Sequence, residues 1–134
     1  RFIQNLRKMG FPVCLDDFGA GAASFQYLST LDVDIVKLDG SAIRNARKAA
    51  KGRSFLIALG NLCRDLKVET IAEMIDDPEG LMFVRDCGIQ YVQGYLFGKP
   101  SPNIGSFEPL PKAELFSKRA QSNNAAAMQA MTRL

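Results

Sequence analysis

Polar side chains stand at the points where four apolar runs stop. Asp16 and Asp17 follow PVCL, Lys37 and Asp39 end VDIVKLD, Glu73 follows TIA with Asp76 three residues on, and Gln93 follows YV. Carboxylates gathered in one place repel one another, and they stay charged only beside cations. With oxygen donors and no histidine anywhere in the 134 residues, the expected cation is hard and divalent, Mg2+ or Mn2+. Two such ions about 3.5–4 Å apart can clamp a phosphodiester and activate water. A lysine among the acids would orient or deprotonate that water, or offset phosphate charge. Gly19 and Gly21, just after the acidic pair, allow a turn with unusual dihedrals and a close backbone approach to a ligand. Each residue also has a plainer reading: Asp17 as a turn or cap, Lys37 as a rim lysine, Asp39 as the cap before Gly40-Ser41, Glu73 as a strand end, and Gln93 as a partner for backbone groups.

The elements that would position these residues alternate. Pro12–Leu15, Val33–Leu38, Val68–Ala72 and Gln90–Val92 read as short strands. Phe2, Ile3, Leu6 and Met9 mark a helical face, Phe25, Leu28 and Leu31 a shorter one, and Phe55–Leu66 and Glu79–Cys87 two more. Breakers lie between them: Gly10 and Pro12 before the first strand, Pro78 in the first turn of the last helix and Gly88 after it. Strand–helix alternation argues for a parallel α/β fold. In such folds the ligand site lies at the carboxyl ends of the strands. Adjacent residues on a strand face opposite ways, so one of Asp16 and Asp17 should point inward unless the strand has already ended.

Composition narrows the function. The net charge of +3 resides in residues 112–134, where Lys112, Lys118, Arg119 and Arg133 face Glu114, and the preceding 111 residues balance. No basic stripe forms, which argues against long nucleic acid as a partner. Cys14, Cys63 and Cys87 sit beside apolar residues and read as small buried side chains in a reducing compartment, hence a cytoplasmic chain. The absence of histidine excludes a His-based triad and His-bearing zinc sites. No apolar run is long enough to span a membrane, so no membrane contact is expected from this segment. The chain opens at Arg1 inside an amphipathic stretch and reads as a segment of a longer domain.

LDDFGAGAASFQYL, VDIVKLDGSAI, TIAEMID and GIQYVQGYLFGKPSP, in that order and spacing, resemble the EAL-domain family of cyclic di-GMP phosphodiesterases and their catalytically dead, nucleotide-binding relatives. The resemblance spans roughly residues 1–102. It implies an α/β fold that is part of a TIM-like (β/α)8 barrel, roughly the last four strands with their helices, with residues 1–111 as the C-terminal portion of the barrel. Residues 112–134 are expected to form a helical or disordered extension. It further implies Asp16, Asp17 and Glu73 as ligands of two Mg2+ or Mn2+ ions, Lys37 and Gln93 beside the nucleophilic water, and Asp39 as a supporting residue. Gly19, Gly21 and Asp76 would belong to the regulatory loops. The implied partner is cyclic di-GMP and the implied product the linear dinucleotide pGpG.

Departures from the family pattern shape the functional expectation. Met74-Ile75-Asp76 replaces the family's Gly-Val-Glu, leaving an acid one methylene shorter and a side chain where the backbone is expected to need glycine. Ala20, Ala22 and Ala23 erase the hydroxyl and aromatic groups of the loop after DDFG. The Glu-Ala-Leu motif and the early-strand ligands precede the matched region. A degenerate, nucleotide-binding regulatory module is therefore the expectation, with the chain inactive alone. The alternatives are an active phosphodiesterase in the intact barrel and a structural or dimerisation module. Half a barrel exposes edge strands and core, so pairing with the missing half or self-association is expected.

Overall fold

A computed structural model describes residues 2–19 and 24–103. In chain order they form α1 (Phe2–Lys8), β1 (Cys14–Phe18), α2 (Ser24–Thr30), β2 (Ile35–Leu38), α3 (Gly40–Arg47), α4 (Ala50–Asp65), β3 (Glu69–Ala72), α5 (Pro78–Asp86) and β4 (Tyr91–Val92). The strands make one parallel sheet in the order β1-β2-β3-β4. One compact unit ends at Leu96 and holds all of these elements; Phe97–Asn103 fall in a second and are irregular. Gly21 and the extension at 112–134 lie outside the described residues.

Alternation along the strands sorts the two faces of the sheet. Val36 and Leu38 of β2, Thr70 and Ala72 of β3, and Phe18 of β1 are buried. They join Ile43 of α3, Leu56, Leu59 and Cys63 of α4, and Leu81 and Val84 of α5 in the apolar core. Thr70 is the buried polar exception, and its hydroxyl accepts from Gln90 N at 3.2 Å. The opposite face carries Cys14, Ile35, Lys37, Ile71 and Tyr91, all half-buried or exposed. A parallel sheet covered on one side only is unusual, and this face lies uncovered among the described residues. Cys14 is exposed there rather than buried as its apolar neighbours suggest, because β1 is a sheet edge and Cys14 points away from the helices.

Local chemistry explains the connections. Asp34 accepts from Val13 N at 2.8 Å and pairs with Arg7 at 2.9 Å, tying α1 to the amino end of β1. Those same contacts, the Val13 N–H first, hold the Asp34 carboxyl below the usual range. Asp77 caps α5 by accepting from Gly80 N at 2.6 Å, ahead of Pro78 in the first turn. Its carboxylate also takes both Nη groups of Arg47, at 2.8 and 3.1 Å, which links α5 to α3. The helix α3 escapes the apolar periodicity because GSAIRNAR offers so few large apolar residues, with Ile43 the one that enters the core.

Candidate functional site

The acidic pair lies inside β1 rather than after it. Leu15 pairs with Val36, and the next register point is Phe18 with Leu38, so β1 carries one residue more than β2 over this stretch. That extra residue makes a bulge, and Asp17 takes φ +54°. The left-handed conformation costs most residues about 1–2 kcal/mol, and aspartate is among those that tolerate it best. Asp16 helps by accepting from Asp17 N at 3.1 Å. The bulge breaks the strict alternation that would send the two side chains to opposite faces. One carboxylate oxygen each from Asp16, Asp17 and Glu73 consequently lie within 4.8 Å of one another. Gly19 follows with φ +97°, a conformation suited to glycine.

Lys37, central in β2, reaches this cluster from the uncovered face. Its Nζ stands 3.0 Å from Asp16 Oδ1 and contacts Glu73 Oε1. Hydrogen bonds that Lys37 donates to Glu73 first and to Asp16 second push its amine above the ordinary value. In this arrangement Lys37 is a cation that bridges Asp16 and Glu73. Its hydrogen bond in turn holds the Asp16 carboxyl below the usual carboxylate range. One ammonium against three carboxylates leaves two negative charges facing the same space, with oxygen donors alone. That donor set fits a hard divalent cation such as Mg2+ or Mn2+.

The remaining sequence-derived residues divide. Gln93 is brought to the rim by its backbone: Gln93 N donates to Ala72 O at 2.8 Å, and Gln93 O accepts from Ile75 N at 3.1 Å. The next residue must be glycine, since a side chain on Gly94 would collide with the Ile75 backbone. Asp76 accepts from Tyr95 N at 3.0 Å, so it latches the turn after β3 to the exit of β4. Asp39 spends its carboxylate on the first turn of α3, accepting from Ser41 N at 2.9 Å and from the Ser41 hydroxyl. It supports the end of β2 as the cap of α3, and its own N–H donates to Phe18 O at 3.0 Å.

Met74 stands where the family pattern has glycine, and it nevertheless adopts φ +55°. Two tertiary contacts support that conformation. Gly40 sits beneath the Met74 side chain, and the Arg47–Asp77 pair anchors the far end of the same turn. The second was foreshadowed by Asp77-Pro78, a cap followed by a first-turn proline; the first has no signal in local pattern.

Comparison with known proteins places this geometry in a family. A family model described as the EAL domain matches residues 1–100. The cyclic di-GMP phosphodiesterase PdeB of Shewanella oneidensis is 41% identical over 100 residues, which are 75% of this chain and 12% of that protein. The chain thus spans roughly an eighth of the length of that curated relative. Among solved structures, an EAL-domain protein from Listeria monocytogenes aligns with a TM-score of 0.68 at 38% identity, covering 75% of this chain and 42% of that one. BlrP1 of Klebsiella pneumoniae, in a complex with manganese and cyclic di-GMP, aligns with a TM-score of 0.68 at 27% identity over 74% of this chain and 25% of that one. From the match of its first 100 residues and the likeness of its sheet, this chain belongs to the EAL-domain family.

Proposed function

We propose that this chain supplies the carboxylate–lysine side of a cyclic di-GMP site, and that it works as a nucleotide-binding regulatory module within a larger protein. The observation that carries the reading is the meeting of Asp16, Asp17 and Glu73 within 4.8 Å, with Lys37 bonded to two of them. A divalent cation bound there would supply the positive charge that draws a phosphodiester to an otherwise anionic rim. Lys37 fixes the Asp16 and Glu73 carboxylates toward that cation and keeps its own charge for phosphate. Gln93, at the adjacent strand end, offers an amide to a ligand or its water. The uncovered sheet face, with Ile35, Lys37 and Ile71 half-buried on it, supports pairing with further strands that complete the barrel. Alanines at positions 20, 22 and 23, in place of hydroxyl and aromatic groups, favour binding over regulated turnover.

A second reading, hydrolysis to pGpG in the intact barrel, is favoured by one specific observation. Met74 keeps the left-handed turn after Glu73 despite not being glycine, so that carboxylate reaches the cluster. Calorimetry on the full-length protein with Mn2+, paired with chromatography of the products, separates the two. Cyclic di-GMP binding without turnover supports the regulatory module, turnover supports the second reading, and no binding in either Mn2+ or Mg2+ contradicts both. No helix among the described residues is long and apolar enough to cross a membrane.

A further inference from the structure

We propose that Met74 is a positioning residue for Glu73, and that Gly40 is the position that admits it; the proposal rests on reading Glu73 as a cation ligand. Met74 follows Glu73 directly in a conformation that L side chains rarely adopt, φ +55°. Its side chain lies over the first residue of α3. A Cβ built on Gly40 would stand 2.5 Å from Met74 Cβ, 2.6 Å from Sδ and 2.7 Å from Cγ. No side chain fits there, so Gly40 leaves a notch against which Cβ, Cγ and Sδ of the flexible, unbranched Met74 side chain rest, while the residue as a whole stays 52% exposed. Farther along α3, Arg44 Nη1 lies 3.8 Å from Met74 Sδ.

The other side of the turn is fixed independently. Glu73 N donates to Leu38 O at 3.1 Å, Ile75 N donates to Gln93 O at 3.1 Å, and Ile75 O accepts from Leu96 N at 3.2 Å. The Ile75 side chain is 2% exposed. Met74 is therefore the middle of a three-residue turn whose ends are bonded to β2 and to the exit of β4. For Met74 to relax to an ordinary φ, its side chain must leave the Gly40 notch or Ile75 must leave its bonds. On the proposed account either movement loosens the residue next to Glu73, leaving the Glu73 N–H bond to Leu38 O as its remaining tie on that side and weakening its hold on Lys37. Gly40 and Met74 act as one device: the missing side chain on α3 is the socket for the one on the β3 exit.

The test is a cycle of variants in the full-length protein, read by Mn2+ calorimetry and by crystal structures of the metal-free forms. Gly40→Ala drives a methyl into the Met74 side chain and is expected to weaken Mn2+ about tenfold, the effect of disturbing a residue that supports a ligand. Met74→Gly weakens it less, since glycine keeps the dihedral while losing the packing. The double variant matches Met74→Gly alone, because the new methyl enters space that Met74 has left. Met74→Gln, which keeps the unbranched stem, stays within about threefold of the parent. In the metal-free crystals the Lys37–Glu73 pair is broken in Gly40→Ala and present in the double variant. Additive losses in the double variant, or an intact pair in Gly40→Ala, would overturn the proposal. A parent that binds no Mn2+ contradicts Glu73 as a ligand, and the crystal structures then decide the positioning role by themselves. Should Gly40→Ala fail to fold, Met74→Gly and Met74→Gln carry the test: equal affinity in both overturns it.

Discussion

The exits of β1 and β3 solve one problem in two ways. Each delivers a carboxylate to the rim next to a non-glycine residue of positive φ, Asp17 at +54° and Met74 at +55°. At β1 the strained residue is itself a proposed ligand, and its neighbour Asp16 has a side chain 63% exposed. At β3 the ligand and the strain are separated: Glu73 is 17% exposed and sits beside Met74, which carries the unfavourable dihedral. Bonds to Leu38, Gln93 and Tyr95 then hold that turn on both sides. The difference teaches that a strand end can present an acid through a local bulge or through a tertiary latch. The latch buries more of the acid and fixes it more firmly. Lys67, with φ +59°, provides a third positive-φ residue remote from the rim, in the turn that ends α4.

The largest expected effect separates the two exits at the site. Glu73→Gln removes a proposed ligand and the first partner of Lys37, so Mn2+ affinity should fall by more than about 100-fold, beyond what disturbing a supporting residue costs. Asp16→Asn removes a proposed ligand that is far more exposed and still leaves an amide oxygen in its place, so it should cost only about tenfold. Calorimetry on both variants checks the ordering, and equal losses would erase the distinction between latch and bulge. Next comes the anchor of the latch. Asp77→Ala removes both the α5 cap and the Arg47 pair, and urea unfolding should show a loss of about 1–2 kcal/mol.

Backbone strain gives a smaller and opposite effect. Lys67→Gly relieves a left-handed residue with no ligand role and should stabilise the chain by about 1 kcal/mol, leaving Mn2+ affinity unchanged. Asp17→Gly should stabilise by a similar amount, about 1 kcal/mol, yet weaken Mn2+. Unfolding and calorimetry together test whether strain at β1 serves the site. The smallest effect is acid dependence. The Asp77 carboxyl is held below its ordinary range by Arg47 first and by Gly80 N–H second. A carboxylate with a depressed folded-state value contributes stability above its unfolded value, about 3.9, and loses that contribution as pH falls through the lower folded value. Because this side chain is 48% exposed, solvent screening keeps the contribution under about 1 kcal/mol. Stability measured from pH 6 downward should therefore decline below about pH 4, and less steeply in Asp77→Ala than in the parent.

Much of this was legible in the sequence because each strand is short, apolar and punctuated by a polar end. Four strands, the parallel alternation and the convergence of Asp16, Asp17, Lys37 and Glu73 follow from that pattern. The bulge at Asp17 does not, since it depends on the register with β2. Helix α3 gives little periodic signal because GSAIRNAR has a single large apolar residue, Ile43, and its start is marked only by the Asp39 cap. Cys14 is exposed despite its apolar chain neighbours because it lies on the uncovered face of an edge strand, which neighbouring residues in the chain do not reveal. The fit of Met74 over Gly40 joins residues that are distant in the chain and share no motif, so tertiary packing alone discloses it.

The central claim is that Asp16, Asp17, Glu73 and Lys37 form one cation-dependent nucleotide site. Titrating cyclic di-GMP into the full-length protein, once with Mn2+ and once with EDTA, tests it most directly. The account predicts saturable binding with Mn2+ that disappears with EDTA and in Asp17→Asn. Binding of equal strength in EDTA, or in Asp17→Asn with Mn2+, would contradict it.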